Sequence, residues 1–154
     1  MSLATDGFDT GSLSLGPIES GTSILLTGED RDALQSVFSQ LVAADDDERS
    51  IVLATGSGGR AVQRDLDSAR TGAGSRSSVL TCEGPASGED IQSVDDISDL
   101  TRLGMEFSTL VASAQQGSGR FRSGIMLCST IAGEVEDTRS LYRFLNSNFL
   151  TELR

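Results

Sequence analysis

Few residues in this sequence could do chemistry. All 12 basic residues are arginine, and the chain of 154 residues contains neither lysine nor histidine. Imidazole acid/base catalysis, histidine metal ligation and lysine Schiff bases are therefore excluded by composition. The two cysteines, Cys82 and Cys128, lack the CxxC spacing of a zinc site and have no histidine or lysine to activate a thiolate. We expect both to be small core residues, and the sequence predicts no catalytic residue, no metal site and no cofactor.

Carboxylates occupy the first place where a phosphate-binding loop could lie. Residues 27–32 follow an apolar run and contain one glycine together with Glu29, Asp30 and Asp32. A P-loop needs several glycines, a lysine that reaches the phosphates and a serine or threonine that binds magnesium. We therefore predict that the protein does not hydrolyse ATP or GTP. A second acidic run, residues 45–48, lacks the spacing of a calcium loop and is predicted to be a solvated turn.

A glycine-rich segment is the best candidate for anion binding. It follows an apolar run and leads into an amphipathic stretch, and the backbone N–H groups of such a turn can point at an anion. Glycine-rich turns between a strand and a helix are commonly only turns, so both interpretations stay open. The candidate residues are Gly56, Ser57, Gly58, Gly59 and Arg60.

Apolar runs alternate with amphipathic stretches along most of the chain. The strands and helices that these stretches form must hold the acidic and glycine-rich segments in place. Continuous short apolar runs indicate buried strands, and the spacing of three and four in the intervening stretches indicates helices. Such alternation predicts an α/β fold of three layers, with a mostly parallel sheet of at least four strands and helices on both faces. The predicted strands are 23–27, 50–55, 78–82 and 124–130; the predicted helices are 30–43, 59–69, 98–116 and 135–153.

Length and local composition indicate one domain with an N-terminal arm. Residues 1–21 are rich in glycine, serine, threonine and aspartate and show no sustained period, which is typical of a flexible segment. The remaining residues, 22–154, suffice for a single hydrophobic core. We therefore predict a flexible arm over 1–21 and one domain over 22–154.

The charge balance limits the partners. A formal net charge of -11 repels the phosphate backbone of nucleic acids and anionic membranes, which are bound mainly through clustered basic residues. We expect no direct contact with nucleic acid and no membrane association. Abundant aspartate without lysine resembles the proteins of extreme halophiles, which are screened by molar salt. The N-terminal residues lack a basic region and a continuous apolar stretch, so we expect a cytoplasmic location.

The last predicted helix offers a candidate interface. Its apolar residues cover more of the circumference than one stripe facing a sheet can bury. One flank places Leu141 and Phe144 beside Arg139 and Arg143, a composition that interfaces favour. We predict a protein partner or a homo-oligomer at this flank; the alternative is that the arm or another element of the same chain covers it.

Several motifs resemble a haloarchaeal family of RecA/KaiC-like proteins without assigned function. The similarity lies in residues 21–28 and 99–105, in the run 124–131 with its Ser-Thr ending, and in the pattern Asp137-x-Arg139-x-x-x-Arg143-Phe144-Leu145. The resemblance, which spans most of residues 21–150, implies a RecA-like domain whose nucleotide machinery has decayed. It places Cys128 where an active relative would carry the aspartate that orders a magnesium-bound water.

These observations favour a non-catalytic protein-interaction or regulatory module, a degenerate RecA/KaiC-like domain that is not an enzyme. The main alternative is a sensor that binds a nucleotide or phosphate through residues 56–60 without hydrolysing it. An unrecognised enzyme would need Cys82 or Cys128 with nearby carboxylates. The partner and the pathway are not specified by the sequence.

Overall fold

The computed structural model describes most of the predicted domain. The described residues are 7–10, 13, 15–19, 22, 24–83, 91–94, 100–117, 120–126 and 139. A 3-10 helix comprises Ala73–Arg76. The other elements are β1 (Gly7–Phe8), β2 (Ile18–Glu19), α1 (Arg31–Val42), β3 (Arg49–Gly58), α2 (Gly59–Ala69), β4 (Ser77–Glu83), β5 (Ile91–Ser93), α3 (Leu100–Gly117) and β6 (Phe121–Met126).

Three predicted helices are confirmed within a residue or two at each end. Asp30 is the N-cap of α1. Its carboxylate accepts a hydrogen bond from the backbone N–H of Ala33 at 3.1 Å and so satisfies one of the backbone donors that are unpaired at the start of a helix. Helix α2 has the predicted bounds. Helix α3 buries Leu103, Phe107 and Leu110, which the spacing of three and four had indicated.

In the described part of the chain, β3 lies inside a sheet of four strands in which every pair of neighbours is parallel. The strand order is β5-β4-β3-β6, and Leu53 of β3 lies opposite Leu80 of β4 and Ile125 of β6. The residues Ile51 to Ala54 are fully buried, as expected for a central parallel strand. The prediction of an α/β fold with a mostly parallel sheet of at least four strands is confirmed.

Alternate residues of β3 belong to two different hydrophobic clusters, because successive side chains of a strand point to opposite faces. Ile51 and Leu53 pack with residues of α3, whereas Val52 and Ala54 pack with residues of α1 and α2. Helix α1 also approaches β6 closely: a methyl group at Gly124 would lie 2.5 Å from the ring of Phe38.

The predicted strand at 23–27 is wrong for its described part. Residues 24–27 form no strand, and the side chains of Ile24 and Leu25 are 50% and 84% exposed. A strand is stabilised by a paired neighbour and by burial of one face rather than by its own residue preferences. Among the strands that the structure describes, none pairs with this segment.

The remaining differences concern short or late elements. Strand β5 was not predicted, because three residues are too few to show a period. The last strand begins three residues earlier than predicted, at Phe121, and the part of the prediction beyond Met126 lies outside the described residues. So does the helix predicted at 135–153, apart from Arg139, which is helical and exposed.

Part of the N-terminal arm lies against the domain. Strands β1 and β2 pair as a short antiparallel ladder, and Thr10 is 2% exposed. The Thr10 hydroxyl donates to the carbonyl of Leu15 at 2.8 Å, which closes a turn within the arm. The flexibility of residues 1–21 and the single domain over 22–154 stay predictions.

Candidate functional site

The strand order of the sheet reverses between β3 and β6, and the carboxyl ends of these two strands flank that point. The chain moves from β3 through α2 to β4 on one side, whereas α3 carries it from β5 to β6 on the other side of β3. In open parallel sheets, ligands bind in the crevice at such a point. The hydroxyl of Thr55 donates to the carbonyl of Met126 at 2.9 Å and so joins the two strand ends here.

The candidate anion-binding residues stand at this edge in an extended arrangement. Strand β3 continues through Gly58, and α2 begins at the next residue. Gly58 has φ -71° and ψ 157°, and its backbone does not adopt the left-handed conformation that helps N–H groups to converge on an anion. Arg60 is exposed on the first turn of α2. The segment from Gly56 to Arg60 thus runs from the strand directly into the helix, and anion binding by it stays a prediction.

Packing explains one of these glycines without a ligand. A methyl group at Gly59 would lie 2.5 Å from Cγ2 of Ile91 and 2.9 Å from its Cγ1 and Cδ1. Real side chains do not approach that closely, so a larger residue at position 59 would force the buried Ile91 side chain or α2 to shift. Gly59 is therefore required where the first turn of α2 crosses β5.

The structure places one of the two cysteines in the core region. Cys82, near the end of β4, is partly buried and packs against the cluster that contains Leu80 and Phe107. Cys128 lies outside the described residues. Within the described part of the chain, no three cysteine or acidic side chains lie close enough together to hold a metal ion.

The acidic segment at 27–32 does not follow a strand and serves the start of α1. Asp30 caps the helix, and Asp32 lies in its first turn, where a carboxylate interacts favourably with the helix dipole. The adjoining segment presents Ile24 and Leu25 to solvent. Leu25, the most exposed large apolar side chain among the described residues, thus lies close to this acidic segment.

A buried ion pair at the opposite, amino edge of the sheet was missed by the sequence analysis. Residues 45–48 form a turn, but Glu48 is not solvated: its side chain is 3% exposed, and that of Arg122 is 6% exposed. Arg122 Nε donates to Glu48 Oε1 at 2.8 Å, and the same carboxylate oxygen accepts the backbone N–H of Asp45 at 2.9 Å. Charged residues are ordinarily exposed, so no local pattern reveals this pair.

The N-terminal arm completes this edge by contacting three arginines. The ring of Phe8 lies 4.3 Å from the guanidinium carbon of Arg120 and 5.3 Å from that of Arg122. The backbone carbonyl of Asp9 accepts hydrogen bonds from Arg122 at 2.7 Å and from Arg70 at 3.2 Å. The Asp9 carboxylate lies 3.3 Å from Arg70. We call Arg70, Arg120 and Arg122 the arginine cluster.

The predicted interface falls mostly outside the described residues. Arg139 is described, helical and exposed, whereas Leu141, Arg143 and Phe144 are not described. The interface at these four residues stays a prediction.

No described helix combines the length and the apolar character that a membrane span requires.

A sequence comparison identifies the family of this α/β domain. Residues 21–148 match DUF7504, a family of unknown function, and the chain belongs to that family. No curated protein and no solved structure matches the chain.

Proposed function

We propose that this protein is a non-catalytic interaction module. The observation that carries the proposal is the exposure of Ile24 and Leu25, which stand next to each other before α1 and are 50% and 84% exposed. Exposed neighbouring apolar side chains favour association, since covering them removes apolar surface from water. The partner surface is apolar, and its contact is strengthened by concentrated salt.

The residue composition and the role of Asp30 support the proposal that the protein is not a catalyst. The sequence has no lysine or histidine, and the carboxylate of Asp30 is engaged in capping α1. We propose that the domain is a degenerate RecA-like, three-layer domain from a haloarchaeal cytoplasm. The two clusters that share β3 support the layered arrangement, and the net charge of -11 with arginine as the basic residue supports the halophilic source.

Association is tested by comparing the parent with Leu25→Asp and Met105→Asp in molar KCl. Met105 on α3 is 67% exposed and provides a matched control for adding a carboxylate at an exposed apolar position. Size-exclusion chromatography with light scattering measures self-association, and a pull-down measures a partner. We expect Leu25→Asp to remain folded and to lose association, whereas Met105→Asp retains it. A parent that stays monomeric and binds no partner would contradict the interaction role.

The interface predicted from sequence is tested by Phe144→Asp in the same assays. Loss of association in a variant that still unfolds cooperatively would place a contact on that face. Unchanged association would refute the interface at this helix, and simple loss of folding would assign Phe144 to the internal core.

Hydrolysis is tested directly by measuring phosphate release from ATP and GTP with magnesium in molar KCl. We expect no turnover above that of a sample without protein. Turnover that disappears when a residue of the segment 27–32 is changed would refute the non-catalytic proposal.

A phosphate or nucleotide sensor is the second candidate. The position of the glycine-rich segment at the point where the winding reverses favours it, because ligands of such sheets bind there. Equilibrium dialysis with ATP, ADP and inorganic phosphate tests this function, with Arg60→Gln as the variant and Arg64→Gln, one turn further along α2, as the control. Binding that only Arg60→Gln weakens would support the sensor.

A further inference from the structure

The contact between the arm and the arginine cluster has the chemistry of a recognition site. An arginine over an aromatic ring and an arginine paired with a carboxylate are both common at protein interfaces. Phe8 supplies the ring and Asp9 supplies both a carboxylate and a backbone carbonyl, so two adjacent arm residues contact all three arginines. Within the chain, the cluster therefore contacts an aromatic residue followed directly by an aspartate.

Two of the contacts that hold the arm are weak ones. Strands β1 and β2 contain two residues each, and a hairpin of that size is not stable without other contacts. The Asp9 side chain is 65% exposed, so its ion pair with Arg70 contributes little. Arg122 Nη2 is buried and has no hydrogen-bond partner among the described residues, so the arm does not use every donor of the cluster.

The connection to the domain is long enough to let the arm leave without unfolding it. Residues 20–30 separate β2 from the start of α1, and about 11 residues span up to about 36 Å when extended. The ion pair of Glu48 with Arg122 does not involve the arm, so we expect it to hold Arg122 in place when the arm departs.

We propose that the arginine cluster is an exchangeable docking site, which takes the Phe8–Asp9 segment of a second copy of this chain in place of its own. Every contact made within one chain can be made identically between two chains, which is the basis of domain swapping. The arm of the same chain is present at an effective concentration of about millimolar and competes with the incoming arm. This surface is separate from Ile24 and Leu25.

Two complementary variants of the full chain test the exchange. The arm variant carries Phe8→Ala and Asp9→Asn and keeps the cluster, whereas the cluster variant carries Arg70→Gln and Arg120→Gln and keeps the arm. We expect neither variant alone to form an exchanged dimer, because one side of the contact is missing in each. We expect an equimolar mixture in molar KCl to form a heterodimer. It should form at a protein concentration at least about tenfold lower than the parent needs to form homodimers, because no intact arm on the same chain competes for the intact cluster. Native mass spectrometry distinguishes the heterodimer by mass.

A variant that carries all four changes is the control for association through any other surface. Mixed with either partner variant, it should give no heterodimer; if it associates as strongly as the complementary pair, the contact lies elsewhere and the exchange proposal is overturned. A mixture that remains monomeric while circular dichroism shows both variants folded would equally overturn it, because the arm would then bind only its own chain.

A peptide measurement does not depend on the folding of the cluster variant. A fluorescent peptide with the sequence of residues 4–13 serves as the arm of a second copy, and its anisotropy is measured with the arm variant and with the parent. We expect saturable binding to the arm variant, about tenfold weaker binding to the parent, and a comparable loss when the peptide carries Phe8→Ala. Failure of the folded arm variant to bind the peptide would refute the proposal.

Discussion

Removing the carboxylate of Glu48 should destabilise the fold more than any exposed ion pair does. The Glu48 and Arg122 side chains are 3% and 6% exposed, so Glu48→Leu leaves a guanidinium that water cannot reach. Breaking a buried pair by removing one partner costs about 3–5 kcal/mol. Arg122 keeps two backbone acceptors, the carbonyl of Asp9 at 2.7 Å and that of Leu41 at 3.2 Å, so we expect the lower end of that range, about 3 kcal/mol.

A double-mutant cycle separates the pair from the loss of either side chain. For a chain of this length, about 3 kcal/mol corresponds to a fall in Tm of about 6–12 °C. We expect Glu48→Leu and Arg122→Met each to lower the free energy of unfolding, and the double variant to lose less than the sum of the two single losses by about 2 kcal/mol or more. Urea unfolding followed by circular dichroism in molar KCl measures all four proteins.

The exposed pair of Arg70 with Asp45 provides the comparison. Its atoms lie 3.4 Å apart, with side chains 18% and 46% exposed, and we expect Asp45→Asn to cost no more than about 1 kcal/mol. If Glu48→Leu costs as little as Asp45→Asn, or if the losses from Glu48→Leu and Arg122→Met simply add, the buried pair does not act as described.

Three further results are expected. Gly59→Ala should lower the free energy of unfolding by about 1–3 kcal/mol, because the added methyl group contacts Ile91. The double variant with Ile91→Ala should lose less than the sum of the two single losses, and strict additivity would show that contact with Ile91 is not the cause. Gly72→Ala should cost about 1 kcal/mol or more, because Gly72 has φ +82°, and a loss no greater than that of Ser75→Ala would argue against backbone strain. The Tm should rise from low to molar KCl, because salt screens a net charge of -11 and strengthens apolar burial, whereas a flat profile would contradict the halophilic assignment.

The sequence determined the elements whose signals are local. A helix buries residues at a spacing of three and four and a central parallel strand buries a continuous run, so α1, α2, α3 and β3 were predicted from the order of their own residues. Composition likewise excluded histidine and lysine chemistry without reference to any fold. These inferences need no knowledge of which elements become neighbours.

Tertiary structure decided which segments and charges meet. Residues 24–27 have the composition of a strand but no strand partner among those described, whereas β5 is too short to predict and is held by pairing with β4. Glu48 and Arg122 are 74 positions apart and become a buried pair only because β3 and β6 lie side by side. Gly59 is required because α2 crosses β5 there. A local pattern records the period of burial along one element, and contacts between distant elements depend on how the whole chain packs.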